Sequence, residues 1–277
     1  MTAVSVDTLK SISKTKRKDY NAEFKKLKKG DRSEDTIHDA RVAARRLNAL
    51  FEALGIICDY SDNKKLKKKI KNSRKKLGGA RDIQIARIFL IKNQDNIKNF
   101  DYNSFEDYYQ QIQQQALETT DQFIKKFKRK KLNNKVKQNI KKHFQQTNEE
   151  VSLQNLFEKI NEEKETLLSE FDLLNRNDKS SFHQLRKDLK KLRYKLEILN
   201  EIGLGDYNID NYKLFQDDLG EIQDIEVIRE ILSEQYKAAE SKNDLKNLSD
   251  FLDQEQNKLI DKVLNNHKFF CNMLEKI

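Results

Sequence analysis

Residues 37–54, IHDARVAARRLNALFEAL, return at 182–199 as FHQLRKDLKKLRYKLEIL. His38 aligns with His183, Arg41 with Arg186, Arg45 with Lys190 and Glu52 with Glu197, at a constant offset of 145 residues. Apolar residues three and four apart mark both copies as helices that bury one side. On a wheel advancing ~100° per residue, that side holds Ala40, Ala44, Leu47, Phe51 and Leu54 in the first copy. In the second it holds Leu185, Leu189, Leu192, Leu196 and Leu199. Around His38 on the other side lie Arg41, Arg45, Asn48 and Glu52, and around His183 lie Arg186, Lys190, Arg193 and Glu197. Ordinary surface helices mix signs to gain ion pairs four residues apart. These rows are mostly cationic, with about one cation per ~5.4 Å turn. That spacing suits the successive anions of an extended polyanion, arginine gripping phosphate oxygens with paired donors and lysine acting as a point charge. Arg46 and Lys191 flank the rows and widen them.

A second pair of segments follows the first. KKLGGARDIQIARIFL at 75–90 matches DDLGEIQDIEVIREIL at 217–232, Leu77 aligning with Leu219 and Asp82 with Asp224 at an offset of 142 residues. Each half of the chain therefore reads as a histidine helix, a spacer helix, a Leu-Gly turn and a helix headed by aspartate, the mark of an internal duplication. Asp82 and Asp224 are expected near helix N-termini, as caps. Asp31 or Ser33 is the expected cap of the first histidine helix, and Ser180 or Ser181 that of the second.

The chain of 277 residues has no proline, no tryptophan and seven glycines, and is rich in good helix formers. An all-α fold follows, and no strand is expected because no stretch alternates with period two. Helices are expected over about 7–29, 33–54, 62–77, 81–95, 104–129, 133–148, 152–174, 180–202, 210–219, 222–238 and 242–275. Gly30, Gly55, Gly78, Gly79, Gly203, Gly205 and Gly220 are the expected left-handed stops. Cys58 and Cys271 are too few for a disulfide framework or a zinc site. Neither a secretory leader nor a run of ~18–20 apolar residues is present, so a soluble, cytoplasmic protein is expected.

The net charge of +10 favours a polyanionic partner, although 45 acidic residues accompany the 55 basic ones. The densest basic cluster runs from Lys64 to Arg81 without an acid. Leu66, Ile70 and Leu77 form its seam, and Lys67, Lys71 and Arg74 form a ridge beside it. The candidate binding residues are thus His38, Arg41, Arg45, Arg46, Lys67, Lys71, Arg74 and Arg81, with His183, Arg186, Lys187, Lys190 and Arg193 in the second half.

In these residues the chain resembles the CHAD family, the conserved histidine α-helical domains. The H-x-x-R-x-x-x-[RK]-[RK]-L pattern stands at His38 to Leu47 and again at His183 to Leu192, and the Leu-Gly…Asp segments agree. The likeness covers essentially the whole chain, residues 1–277, with internal halves at about 1–140 and 150–277. It implies two four-helix-type bundles related by pseudo-two-fold symmetry around a central basic groove or pore. It also implies inorganic polyphosphate as partner and association with polyphosphate granules. Asn48 and Gln223 depart from the pattern, standing where arginine is common. Some relatives carry a fused triphosphate-processing domain with Glu-x-Glu-x-Lys strands, and no such pattern occurs here.

Other classes fit less well. Single-stranded nucleic-acid sites usually add stacking rings, and the Lys64–Arg81 segment has none. Nucleic acid is therefore a less suitable partner than polyphosphate, though counterion release drives both. Asp39 beside His38 is similar to the metal phosphohydrolase dyad, but Gln184 replaces it in the second copy, and His143 and His267 have no matching partners. No G-x-x-x-x-G-K-[ST] loop exists. The expectation is a non-enzymatic binding protein with no cofactor, no metal and no membrane segment.

Overall fold

The computed structural model describes residues 3–58, 64–97, 100–144, 149–237 and 243–277, with the side chains of 79–81, 235–237 and 243–246 outside that description. The described elements are β1 (Ala3–Ser5), α1 (Val6–Lys28), α2 (Glu34–Ile57), α3 (Lys64–Lys76), α4 (Gly79–Lys92) and α5 (Tyr102–Lys126). They continue with α6 (Arg129–His143), β2 (Glu150–Ser152), α7 (Gln154–Asp172) and α8 (Lys179–Glu201). The last are α9 (Ile209–Lys237), α10 (Asn243–Asn265) and α11 (His267–Glu275).

The fold is all-α, with one correction to the expectation of no strand. β1 pairs antiparallel with β2, Val4 opposite Val151. Three residues per strand give alternation no room to show as a period. Among the described residues, no helix is long and apolar enough to cross a membrane.

The chain divides into two compact units. The first comprises Met1–Leu77, Thr119–Thr166 and Lys191–Ile209. The second comprises Gly78–Glu118, Leu167–Lys190 and Asp210–Ile277. In the first unit, Phe24, Leu27, Leu47, Phe51, Leu54 and Ile70 are fully buried in one cluster with Leu132 and Val136 of α6. Phe24 lies 4.5 Å from Tyr20 and 4.9 Å from Phe127 between ring centroids, within the range of favourable aromatic pairs. In the second unit, Ile83, Ala86 and Leu90 of α4 pack with Phe105 and Tyr109 of α5 and with Ile225, Ile228 and Leu232 of α9. Phe171, Phe215 and Phe270 form a further aromatic core there, with Phe171–Phe270 and Phe215–Phe270 centroids each 4.8 Å apart.

Glycine acts as a stop at fewer places than expected. Gly30 (φ 101°) and Gly203 (φ 76°) take the left-handed conformation that follows α1 and α8. Gly55 lies inside α2 and Gly220 inside α9, so 209–237 is one helix where two are expected. Asp224 is consequently mid-helix rather than at an N-terminus, whereas Asp82 does sit in the first turn of α4. The expected helix 242–275 is divided at Asn266 into α10 and α11. Ser33 caps α2 by accepting from the Thr36 amide, and Asp31 reinforces it by accepting from Ser33 N and Thr36 Oγ1. At α8 the acceptor is Asp178, which takes the Ser180 amide at 3.0 Å; Ser180 and Ser181 instead donate their hydroxyls to Asp178. Hydrogen bonds to the charged form favour it: the Ser33 amide first at Asp31, and the Ser180 hydroxyl first at Asp178, hold both carboxyls below the usual range.

Candidate polyanion-binding rows

Helix α2 places its row by burying the opposite face. Ala40, Ala44, Leu47, Phe51 and Leu54 are each no more than 1% exposed. The row itself is graded: His38 is exposed, and Arg41, Arg45, Asn48 and Glu52 are half-buried. On α8, Leu185, Leu189, Leu192, Leu196 and Leu199 are fully buried, and His183, Arg186 and Lys190 are half-buried, with Lys187 exposed. The apolar periods thus aim both rows away from the cores, as their wheels require.

The first-unit residues gather around α2, α3 and the second half of α8. Arg41 Nη1 donates to the Leu77 carbonyl at 3.1 Å, tying α2 to the Leu-Gly segment. Asn48 Nδ2 donates to Glu52 Oε1 at 2.8 Å, fixing that carboxylate within the row. Leu66, Ile70 and Leu77 are buried, as the seam of the basic segment predicts, while Lys71 is exposed and Lys67 and Arg74 half-buried. Burial and the neighbouring Arg45 charge push the Arg74 guanidinium below its usual range, with Tyr194 and Glu52 acting against them. Arg45 Nε is buried and without a hydrogen-bond partner. A desolvated guanidinium edge next to a second cation is a place where an anion gains more than it would on open surface.

Two expected row members have another role. Glu197 approaches Arg46 Nε at 3.4 Å and Arg193 Nε at 3.5 Å. Arg193 is only 9% exposed and lies 4.8 Å over the Tyr194 ring, itself buried. Arg193 is therefore not a displayed cation as the wheel suggests: an adjacent ring and a carboxylate one turn away hold it down. Beside it, buried Lys195 bonds both oxygens of Glu163 at 2.5 and 2.7 Å, tying α8 to α7.

In the second unit, Arg186 repeats the anchoring seen at Arg41. Its Nε donates to the Gln216 carbonyl of α9 at 3.4 Å. A methyl group on Gly220 would stand 3.0 Å from Arg186 Nη2 and 3.2 Å from Nε. Glycine is used here for close approach, not for a turn. His183 is held below its ordinary range by burial first and then by Lys187, with Arg186 and Lys190 adding to the effect and a hydrogen bond with Gln223 opposing it. Its Nδ1 is buried without a hydrogen-bond partner.

The Arg81 side chain lies outside the described residues. His143 and His267 belong to neither row. His143 is buried and its Nδ1 donates to the Asn139 carbonyl at 2.9 Å. His267 sits 3.2 Å from Asp172 and 3.5 Å from Cys271 Sγ, both through Nε2. Burial and the charges of Asp172 and Glu275 raise that thiol, the opposite of nucleophile activation. Among the described residues, no group of three or more His, Cys, Asp or Glu is arranged to hold a metal ion. The double role of Glu197 is absent from the helical wheel; the one local sign of it is its position four residues after Arg193.

The CHAD domain profile matches residues 17–233. The crystal structure of the CHAD domain from the plant Ricinus communis is similar with a TM-score of 0.69 at 15% identity, covering 99% of this chain and 92% of that one. PptA from Streptomyces chartreusis is similar with a TM-score of 0.72 at 11% identity, covering 99% of this chain and 100% of that one. No curated protein matches the sequence. At these identities the two structures speak to the fold alone, while the profile match spans well over half of the sequence. The chain belongs to the CHAD domain family.

Proposed function

We propose that this protein binds inorganic polyphosphate without chemically altering it, using the cation rows of α2 and α8 and the ridge of α3. The observation that carries the reading is that Arg41 and Arg186, aligned in the two motif copies, are each anchored on a backbone carbonyl. The acceptors follow each row in the chain, Leu77 just after α3 and Gln216 inside α9. Tethering limits the rotamer entropy that a free surface arginine would lose on binding. Desolvated, unpartnered nitrogens at Arg45 and His183 add sites where a phosphate oxygen replaces a missing acceptor. Family membership supports the same ligand. Association with polyphosphate granules is part of the proposal.

Affinity comes from many modest contacts on fixed helices, so it rises with ligand length until the sites are filled. The test is a titration with long-chain polyphosphate at about 0.15 M salt, in competition with duplex DNA and with pyrophosphate. Tight, length-dependent binding that DNA does not displace is expected. Equal displacement by DNA replaces the proposal with general polyanion binding driven by counterion release.

A further inference from the structure

The first unit contains a cavity of about 370 Å³ whose floor is formed by Phe123, Phe127 and Leu132. Its rim carries Lys69 of α3, Lys126 at the end of α5, Lys128 at the N-cap of α6, and Lys131 and Lys135 within α6, with no acidic residue in the lining. The volume falls in the ~300–1,000 Å³ range of small-molecule sites. It is distinct from the polyphosphate ridge: on the α3 wheel, Lys69 points at least ~140° away from Lys67, Lys71 and Arg74.

The lining joins two features that usually exclude each other. Half-exposed phenylalanines normally lie under apolar neighbours, and lysines at i and i+4, such as Lys131 and Lys135, repel on a helix. No described ion pair uses any of the five rim lysines, all of which are exposed. Phe127 is held by Phe24 at 4.9 Å and by Phe123 at 5.1 Å between centroids, so its ring is positioned by the core before any ligand arrives. Helix α6 begins at this rim with no side-chain cap and no acid in its first turn, leaving its positive end toward the lysines.

We infer that this cavity binds a nucleoside polyphosphate, the base against Phe123 and Phe127 and the phosphates among the rim lysines. A fatty acid or aromatic carboxylate brings one charge to five cations. Inorganic polyphosphate brings the charge but leaves the aromatic floor unused. Only a ligand with both a flat apolar body and several anionic groups matches both halves of the lining, and Asn72 adds an amide able to reach a base edge.

The test is calorimetry with magnesium-free ATP and with inorganic tripolyphosphate. Tripolyphosphate carries at least as much charge on a smaller body, so charge alone favours it. Stacking is expected to reverse that order, giving ATP about a tenfold advantage. Phe123→Leu is expected to bring ATP down to the level of tripolyphosphate. Lys126→Glu with Lys131→Glu, both at exposed sites, is expected to weaken ATP at least about tenfold. Equal affinity for the two ligands in the parent protein overturns the inference, as does undiminished ATP binding in the double charge variant. A parent that shows the ATP preference but does not bind long-chain polyphosphate retains this inference and removes the preceding proposal; the reverse result does the opposite.

Discussion

Arg41, Arg186 and Glu197 show how much a single side chain can carry in a helix row. Both arginines were legible as cations from their spacing, yet their carbonyl anchors were not, because the acceptors lie 36 and 30 residues away in sequence. Replacing Arg186 by alanine should weaken polyphosphate binding and also remove a hydrogen bond worth about 1 kcal/mol. Arg186→Lys keeps the charge but loses the planar fork, so it should retain stability better than affinity; urea unfolding and ligand titration on both variants separate the two effects. Glu197 acts in the other direction. It engages Arg46 and the covered Arg193, so on the proposed function a polyanion competes with it for the exposed Arg46 guanidinium. Glu197→Gln should therefore raise polyphosphate affinity by a few-fold, the worth of a partly exposed ion pair of about 1 kcal/mol, while lowering the melting temperature. Unchanged affinity would show that Arg46 and Arg193 take no part in binding.

At the scale of elements, the helices behaved as their apolar periods predict, while their ends did not. The stripes of α2, α3 and α8 are buried at the positions that the wheel names, since burial of one face every 3.6 residues is a local property. Gly220 is an expected stop because glycine is common at helix ends; its neighbour Arg186 explains it instead, and no helix-local signal distinguishes a stop from a close approach. Gly203 does stop α8, with a positive φ that a Cβ opposes. Gly203→Ala should cost about 1 kcal/mol, measured by chemical unfolding. The α7–α8 connection through Glu163 and Lys195 is the stronger test of packing. Lys195 is only 5% exposed, so Glu163→Gln leaves a buried ammonium without its counter-charge. A loss of about 3 kcal/mol is expected, and a loss below about 1 kcal/mol would show that water replaces the carboxylate.

For the molecule as a whole, charge and pH set the behaviour. His143 and His183 are both held below the ordinary histidine value, burial being the first cause in each. Below about pH 6.5 the unfolded chain takes up protons that the folded chain resists. Stability should therefore fall as pH drops from about 6.5 toward their folded values, and His143→Gln should flatten that slope in pH-dependent melting. Binding has the opposite sign at His183. On the proposed function, phosphates bound there would offset the Lys187, Arg186 and Lys190 charges and favour the protonated ring, so affinity should rise as pH falls through the same window. An affinity flat as pH falls from about 6.5 through that window, or equally steep in His183→Asn, would remove His183 from the site.

The sequence by itself determined the all-α class, the family resemblance, the cation rows and the faces they oppose. Each of these follows from spacing within one helix or from repetition along the chain, where the physical coupling is between residues three or four apart. Tertiary structure alone decided which segments compose each unit, that three-residue β1 pairs with β2, that Gly220 yields space to Arg186, and that Arg45 and Arg193 each keep a buried Nε without a hydrogen-bond partner. It also decided that rim lysines from three segments share one cavity over phenylalanine rings. The reason is common to all of these: desolvation and close approach depend on partners far along the chain, and neither periodicity nor composition records where such partners meet.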